Sequence, residues 1–305
     1  MSDDASTMTN IGLQFIDSRD ARRIRERISE TYEDFVLAAR SGGRFETRGI
    51  AILGLTGTGK SEGTVQALEA LGMTETQAGD PERPFLKLDL GARATLKSLS
   101  AALLEELGWP ANQKDSAEAM LRSSRNYMAE LSTKILVIDE IQHIRSTGKQ
   151  DRDDLQDFLK SLVKPRLGQI IPILIGMPEF NDVLASDGQL DRRYRKVRMS
   201  SFDPALDLAR TIRVLKIVAE TTGIALGPSV MTQNFAARLM HAGMYAFGEI
   251  CVWCQRATAK AHRSGADELV IEHFQDCYRL EEDCVPALNP FIADDFETIK
   301  IKPQE

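Results

Sequence analysis

Between Gly54 and Ser61 the chain reads Gly-Leu-Thr-Gly-Thr-Gly-Lys-Ser, the spacing G-x-x-x-x-G-K-[ST] of a phosphate-binding loop. Glycines at Gly54, Gly57 and Gly59 let the main chain curl, so that its N–H groups, with those of Thr56 and Thr58, turn toward phosphate oxygens. Lys60 has the reach to neutralise the β- and γ-phosphates, and Ser61 offers a hydroxyl to Mg²⁺. The apolar run Ile50–Leu53 precedes the loop and a helix-compatible stretch from Glu62 to Leu71 follows it. That context makes a chance Gly/Thr-rich turn the weaker alternative, and the helix start adds its own partial positive charge.

A second group of residues supports the first. Ile135-Leu136-Val137-Ile138 is a continuous apolar run that ends in Asp139-Glu140. Such a run reads as a buried parallel strand, and acids at its carboxyl end stand where ligands bind in open α/β sheets. Asp139 is then expected to complete a Mg²⁺ shell and Glu140 to polarise an attacking water. An acidic cap after a core strand is the alternative.

The elements that must position these groups alternate along the chain. Strands are expected near Gly49–Leu53, Phe85–Leu88, Ile135–Ile138, Ile171–Ile175 and Lys196–Met199. Helices are expected near Ser61–Leu71, Ala94–Leu107, Ser116–Glu130, Arg152–Val163 and Glu179–Ala185, with Pro84, Pro110, Pro165 and Pro172 at segment edges. Alternation of this kind predicts an α/β fold with helices on both faces of a parallel sheet. After Ser201 the strand pattern stops, and helical runs cover Asp203–Thr222, Ser229–Met240, Gly248–Arg263 and Asp267–Leu280. The reading divides the chain into an N-terminal arm and helix (1–45), a nucleotide-binding core (46–201), a small all-α lid (202–282) and a tail (283–305). Residues 1–17 read as mobile. The tail mixes acids, prolines and isolated aromatics, and is expected either to dock on a neighbour or to stay disordered.

Composition sets limits. The 305 residues are 43% hydrophobic and carry a formal net charge of −7, so nucleic acid cannot be held by bulk charge and needs local basic patches. The polar start MSDDASTMTN and the lack of a long apolar run predict a cytosolic protein with no membrane span. Five arginines between Arg19 and Arg27 are balanced by Asp20, Glu26, Glu30 and Glu33, which favours a solvated helix face over a nucleic-acid contact. Cys251 and Cys254 lie one turn apart on an expected helix. Small buried side chains are the favoured reading, with a zinc site shared with Cys277, Cys284 or His273 as the alternative.

From about Gly49 to Leu280 the layout resembles an AAA+ ATPase, a P-loop NTPase with a helical lid. Within that superfamily it is similar to the transposition ATPases of the TniB/TnsC type, relatives of phage MuB. The likeness rests on the Gly54–Ser61 loop, on Ile138-Asp139-Glu140-Ile141-Gln142-His143-Ile144, on Ile175-Gly176-Met177-Pro178-Glu179 and on Leu190-Asp191-Arg192-Arg193-Tyr194. The resemblance implies ATP and Mg²⁺ as cofactors, with Lys60, Ser61 and Asp139 at phosphate and metal and Glu140 as the base. It implies Arg192 or Arg193 as the finger that reaches a neighbour's γ-phosphate; a solvated basic turn is the alternative. It also implies a homo-oligomeric ring or filament on double-stranded DNA, a DDE transposase as partner, and a place on the nucleoid of the bacterial cytoplasm.

Two departures qualify the likeness. Met177 holds a position that is commonly polar, and a thioether cannot donate a hydrogen bond to a water. Gly248-Glu249-Ile250 opens a lid helix with an acid and no arginine. Both fit slow, regulatory hydrolysis. The expected DNA contacts are Arg93 and Lys97 after the second strand, and Arg145, Lys149 and Arg152 after the third, all directed at backbone phosphates without regard to sequence. Surface solvation is the alternative for each. A helicase-loader type of DNA-handling switch and a nucleotide-gated protein scaffold remain as competing functions.

Overall fold

Alternation of side chains along five short strands builds two apolar layers at once. In a computed structural model, which describes residues 18–42, 45–77, 79–144, 148–164 and 169–301, the strands are β1 (Gly49–Leu53), β2 (Phe85–Asp89), β3 (Ile135–Asp139), β4 (Ile171–Gly176) and β5 (Tyr194–Arg198). They form one sheet in the order β2-β3-β4-β1-β5 with every pairing parallel. Expectations for residues 1–17, Arg145 and Pro165 lie outside the described residues.

Successive side chains of a strand point to opposite faces. Ile50, Ile52, Ile135, Val137, Ile171, Ile173 and Ile175 accordingly enter one core with Ile24, Ile28 and Phe35 of α1 (Arg19–Arg40) and with Ala67 and Leu68 of α2 (Lys60–Ala70). Ala51, Leu53, Leu136, Ile138 and Leu174 enter the other. There they meet α3 (Leu96–Glu106), α4 (Ala117–Glu130) and α5 (Lys149–Val163). Helix starts follow their caps. Ser18 Oγ accepts from Ala21 N–H at 3.0 Å, Thr95 and Ser98 form a capping box, and Ser116 caps α4. Two short helices precede β5: α6 (Phe180–Ala185) and α7 (Gly188–Arg193). The second was not expected from the sequence; Asp187 Oδ1 caps it by accepting from Gln189 and Leu190 N–H groups.

The chain separates into two compact units. Ser18–Leu55 and Lys60–Met199 form the first, so α1 belongs with the sheet. The second runs from Ser200 onward and takes in Thr56–Gly59. It contains α8 (Leu208–Thr222), α9 (Gln233–Ala242), α10 (Phe247–Arg263) and α11 (Ile271–Glu281) around one apolar core. It is not purely helical: Ala225–Leu226 (β6) and Glu268–Leu269 (β7) pair in parallel, too short a feature for a period-two pattern to reveal.

The segment after α11 corrects the expectation of a docking or disordered tail. Phe291 is 2% exposed and packs in tilted and edge geometries on Phe235, Phe274 and Tyr278. Arg238 donates from Nη1 to the carbonyls of Pro290 (2.6 Å) and Ala293 (2.7 Å), and lies 4.6 Å from the Phe296 ring centre. His241 donates from Nε2 to Ile299 O at 3.0 Å. Isolated aromatics in a polar stretch are here anchors for its own unit. Their burial far exceeds what exposed tail residues contribute.

Candidate functional site

The phosphate-loop residues sit at the carboxyl end of β1. Gly57 and Gly59 take φ of +72° and +82°, conformations that L side chains rarely adopt, and this curls the loop. At its end α2 begins with Lys60, 7% exposed, whose Nζ donates to the carbonyls of Gly54 (2.9 Å) and Leu55 (2.8 Å). Burial pushes this ammonium below its ordinary pKa, while Glu140 and then Asp139 pull it back up.

Asp139, 3% exposed, ends β3. Burial pushes its carboxyl above the usual range. Acting against that are a hydrogen bond from the Ser61 hydroxyl, one from Glu140 N–H to Oδ1 at 2.9 Å, and the charge of Lys87. Lys87 Nζ stands 3.9 Å from Asp139 Oδ2 and 3.2 Å from Asp89 Oδ1. Asp89 is the register partner of Asp139 on the neighbouring strand, so two acids and a lysine share that sheet edge. Ser61 and Asp139 are a hard oxygen pair of the kind that suits Mg²⁺, which takes most of its remaining ligands from water and phosphate. Among the described residues no group of three or more His, Cys, Asp or Glu forms a metal cage.

Glu140 follows at φ +54°, a left-handed turn that separates its side chain from that of Asp139. Its carboxylate accepts from Gln142 Nε2, and Gln142 Oε1 in turn accepts from Met177 N–H at 3.1 Å. Gln142 is the residue that sequence reasoning missed. Met177 was read as the loss of a polar contact at the end of β4; its backbone N–H is bonded there to the Gln142 amide of the turn after β3. The approach depends on Gly176: a Cβ there would lie 2.7 Å from Ile141 Cγ2 and 2.8 Å from Gln142 Oε1. An Asp-Glu-x-Gln spacing next to a strand ending in glycine was the available signal.

Arg192 and Arg193 do not join this cluster. They end α7 just before β5, at the amino end of the parallel sheet, whereas Lys60, Asp139 and Glu140 are at its carboxyl end. Five residues of β1 separate the two edges by roughly 16 Å, at about 3.3 Å per residue. Arg193 pairs with Glu46 at 2.6 Å, and Arg192 donates from Nε to Gly188 O at 3.0 Å.

Of the five residues expected at DNA, the four described ones, Arg93, Lys97, Lys149 and Arg152, are exposed. Ala94 bridges Ile144 in parallel, and His143 donates from Nδ1 to Leu90 O at 2.8 Å. Arg93 (φ +62°) adjoins that bridge, Lys97 lies in the first turn of α3, and Lys149 and Arg152 lie in the first turns of α5. Lys97 donates to Gln113 O at 2.7 Å.

The cysteines form no metal site among the described residues. Burial pushes the Cys251 thiol up to about 12 and that of Cys254 well above its ordinary value, so both stay protonated and pack as small apolar groups. No helix among the described residues is long and apolar enough to cross a membrane.

Comparisons with known proteins agree with this fold. The Cdc6p protein of Pyrobaculum aerophilum is similar in structure, with a TM-score of 0.59 at 13% identity over 88% of this chain and 70% of that one. Two Aeropyrum pernix structures are also similar. The ORC2 protein gives 0.58 at 14% identity, covering 87% and 69% of the two chains. The ORC1 protein, solved in complex with DNA, gives 0.54 at 18%, covering 86% and 65%. At such identities the likeness shows the fold, an AAA+ P-loop sheet with a separate helical unit. No curated protein sequence matches. The sequence model described as "Bacterial TniB protein" matches residues 14–204, more than half of the 305 and inclusive of the loop, the Asp-Glu pair and both arginines. The chain therefore belongs to the TniB family, as an AAA+ ATPase of the type that regulates transposition.

Proposed function

We propose that this chain assembles on target DNA in its ATP-bound state, recruits or activates a DDE transposase there, and dismantles the assembly by slow hydrolysis. The loop amides and Lys60 hold the triphosphate, and Ser61 and Asp139 face the metal position. A Mg²⁺ held there would supply positive charge against the phosphates. Glu140 takes the proton from the water that attacks the γ-phosphorus, and Gln142 keeps its carboxylate aimed. Arg193, with Arg192, stabilises the charge that builds on the terminal phosphate of a neighbouring subunit.

The separation of these two sets of groups carries the reading. Lys60, Ser61, Asp139 and Glu140 share one edge of the sheet, and Arg192 and Arg193 share the other. No single subunit closes its own site with these arginines, so hydrolysis depends on assembly. Arg93, Lys97, Lys149 and Arg152 supply phosphate contacts to duplex DNA, which neither need nor read a sequence.

The test is negative-stain microscopy of the protein with duplex DNA, with and without a slowly hydrolysed ATP analogue. Rings or filaments that need both components support the proposal. Assemblies that form with nucleotide alone and ignore DNA overturn it in favour of a protein scaffold. Nucleotide-dependent stimulation of strand transfer by a DDE transposase tests the second half.

A further inference from the structure

We propose that Arg48 is a third guanidinium of the phosphate receptor formed by Arg192 and Arg193, and that Glu46 is its internal counter-ion. The inference rests on the reading of Arg192 and Arg193 given above and adds residues from a different part of the chain. Gly49 and Tyr194 are register partners on β1 and β5. Arg48 and Arg193 immediately precede them, so parallel pairing sets the two arginines side by side at the amino edge of the sheet. Tyr194 is fixed there by its hydroxyl, which donates to Leu159 O at 3.0 Å.

A cavity of about 530 Å³ opens at this edge, lined by Glu46, Thr47, Arg48, Gln189, Arg192 and Arg193. Three guanidiniums and one carboxylate leave it with an excess of two positive charges. Like charges set this close repel one another, and one carboxylate, Glu46, which pairs with Arg193 at 2.6 Å, offsets only part of that repulsion. Gln189 Oε1 accepts from Arg193 Nη1 at 3.3 Å, which further fixes that side chain. Arg192 uses Nε on its own helix, and Arg48 is exposed. A tetrahedral anion of charge −2 or more matches this arrangement. It accepts forked hydrogen bonds from several guanidiniums at once. The terminal phosphate of a nucleotide in an adjacent subunit is the source that fits a site remote from the chain's own loop. A DNA phosphate and free inorganic phosphate share its chemistry.

Turnover and nucleotide affinity of Arg48→Ala test the assignment, with Arg48→Lys and the double variant Arg192→Ala/Arg193→Ala beside it. Arg48 is exposed, so Arg48→Ala is expected to fold, and its thermal melt checks this. The expected result is parental affinity for a fluorescent ATP analogue and assembled turnover lower by about tenfold or more, below the full effect of a finger arginine. Arg48→Lys keeps the charge without the fork and recovers part of the loss. Mixing Arg48→Ala with Glu140→Gln, which supplies an intact receptor but no hydrolysis, raises turnover above the sum of the two alone. Parental turnover in Arg48→Ala, or no gain on mixing, overturns the inference. If the double variant also turns over at the parental rate, the reading of Arg192 and Arg193 fails with it; if only the double variant is slow, that reading stands and Arg48 drops out. Weaker binding of a labelled duplex by nucleotide-free Arg48→Ala would assign the cavity to DNA. Loss of inorganic phosphate binding at unchanged turnover would assign it to a free anion. Either result overturns the proposal.

Discussion

Gln142→Ala removes one side chain that holds two others. The parent amide donates to the Glu140 carboxylate and accepts from Met177 N–H at 3.1 Å. Hydrogen bonds to charged groups contribute about 1.5–3 kcal/mol, so the freed carboxylate loses about that much orientation. Each 1.4 kcal/mol or so is tenfold in rate, which predicts turnover lower by roughly 10- to 100-fold. Lys60 and the loop carbonyls are untouched, so nucleotide affinity stays within about twofold, under 0.5 kcal/mol. Steady-state phosphate release on assembled protein, paired with fluorescent-analogue binding, separates the two quantities. Gly176→Ala reaches the same contact from the other side, because its Cβ would fall 2.8 Å from Gln142 Oε1, and it should slow turnover in the same sense. Parental turnover in Gln142→Ala would refute the claim that this amide positions the base.

Lys60→Ala is expected to abolish nucleotide binding and assembly together, whereas Glu140→Gln keeps binding, blocks cleavage and leaves assemblies long-lived by microscopy. Asp139→Asn probes the buried charge. Because burial raises the folded pKa of Asp139, its ionised form destabilises the nucleotide-free protein, and the penalty grows as pH rises from the ordinary carboxylate value of about 3.9 through the raised one. The variant's melting temperature should therefore exceed the parent's at pH 8 by more than at pH 5, and an advantage that shrinks with rising pH contradicts the account. Phe291→Ala should destabilise the second unit by about 3–5 kcal/mol in urea unfolding, since the ring is 2% exposed among three other aromatic rings; an unchanged midpoint would mean that the segment after α11 does not anchor it.

The phosphate loop, the Asp-Glu strand end and the five strands were legible in the sequence because each is a local pattern. Loop chemistry needs glycines and Lys-Ser at fixed spacing, and a buried parallel strand is a short apolar run whichever tertiary partners it finds. The strand set matched closely, with β5 starting two residues earlier than its apolar content suggested, since its first side chains, Tyr194 and Arg195, are not aliphatic. Helix α7 escaped notice because Leu190 is its single buried residue, which leaves no apolar spacing to read, and its Asp187 cap is visible only once the helix is known.

What tertiary structure decided depends on which strands are neighbours. Parallel pairing of β1 with β5 puts Arg48 beside Arg193, residues 145 positions apart in sequence with no shared motif. Pairing of β3 with β4 brings Gln142 to the end of β4, where its amide accepts from Met177 N–H. The same holds for Phe291 and Phe296, whose partners lie on α9 and α11. Sequence spacing fixes the chemistry of a single loop or strand end. The company each side chain keeps comes from sheet order and helix packing, because those contacts join segments whose spacing in the chain carries no information about their distance in space.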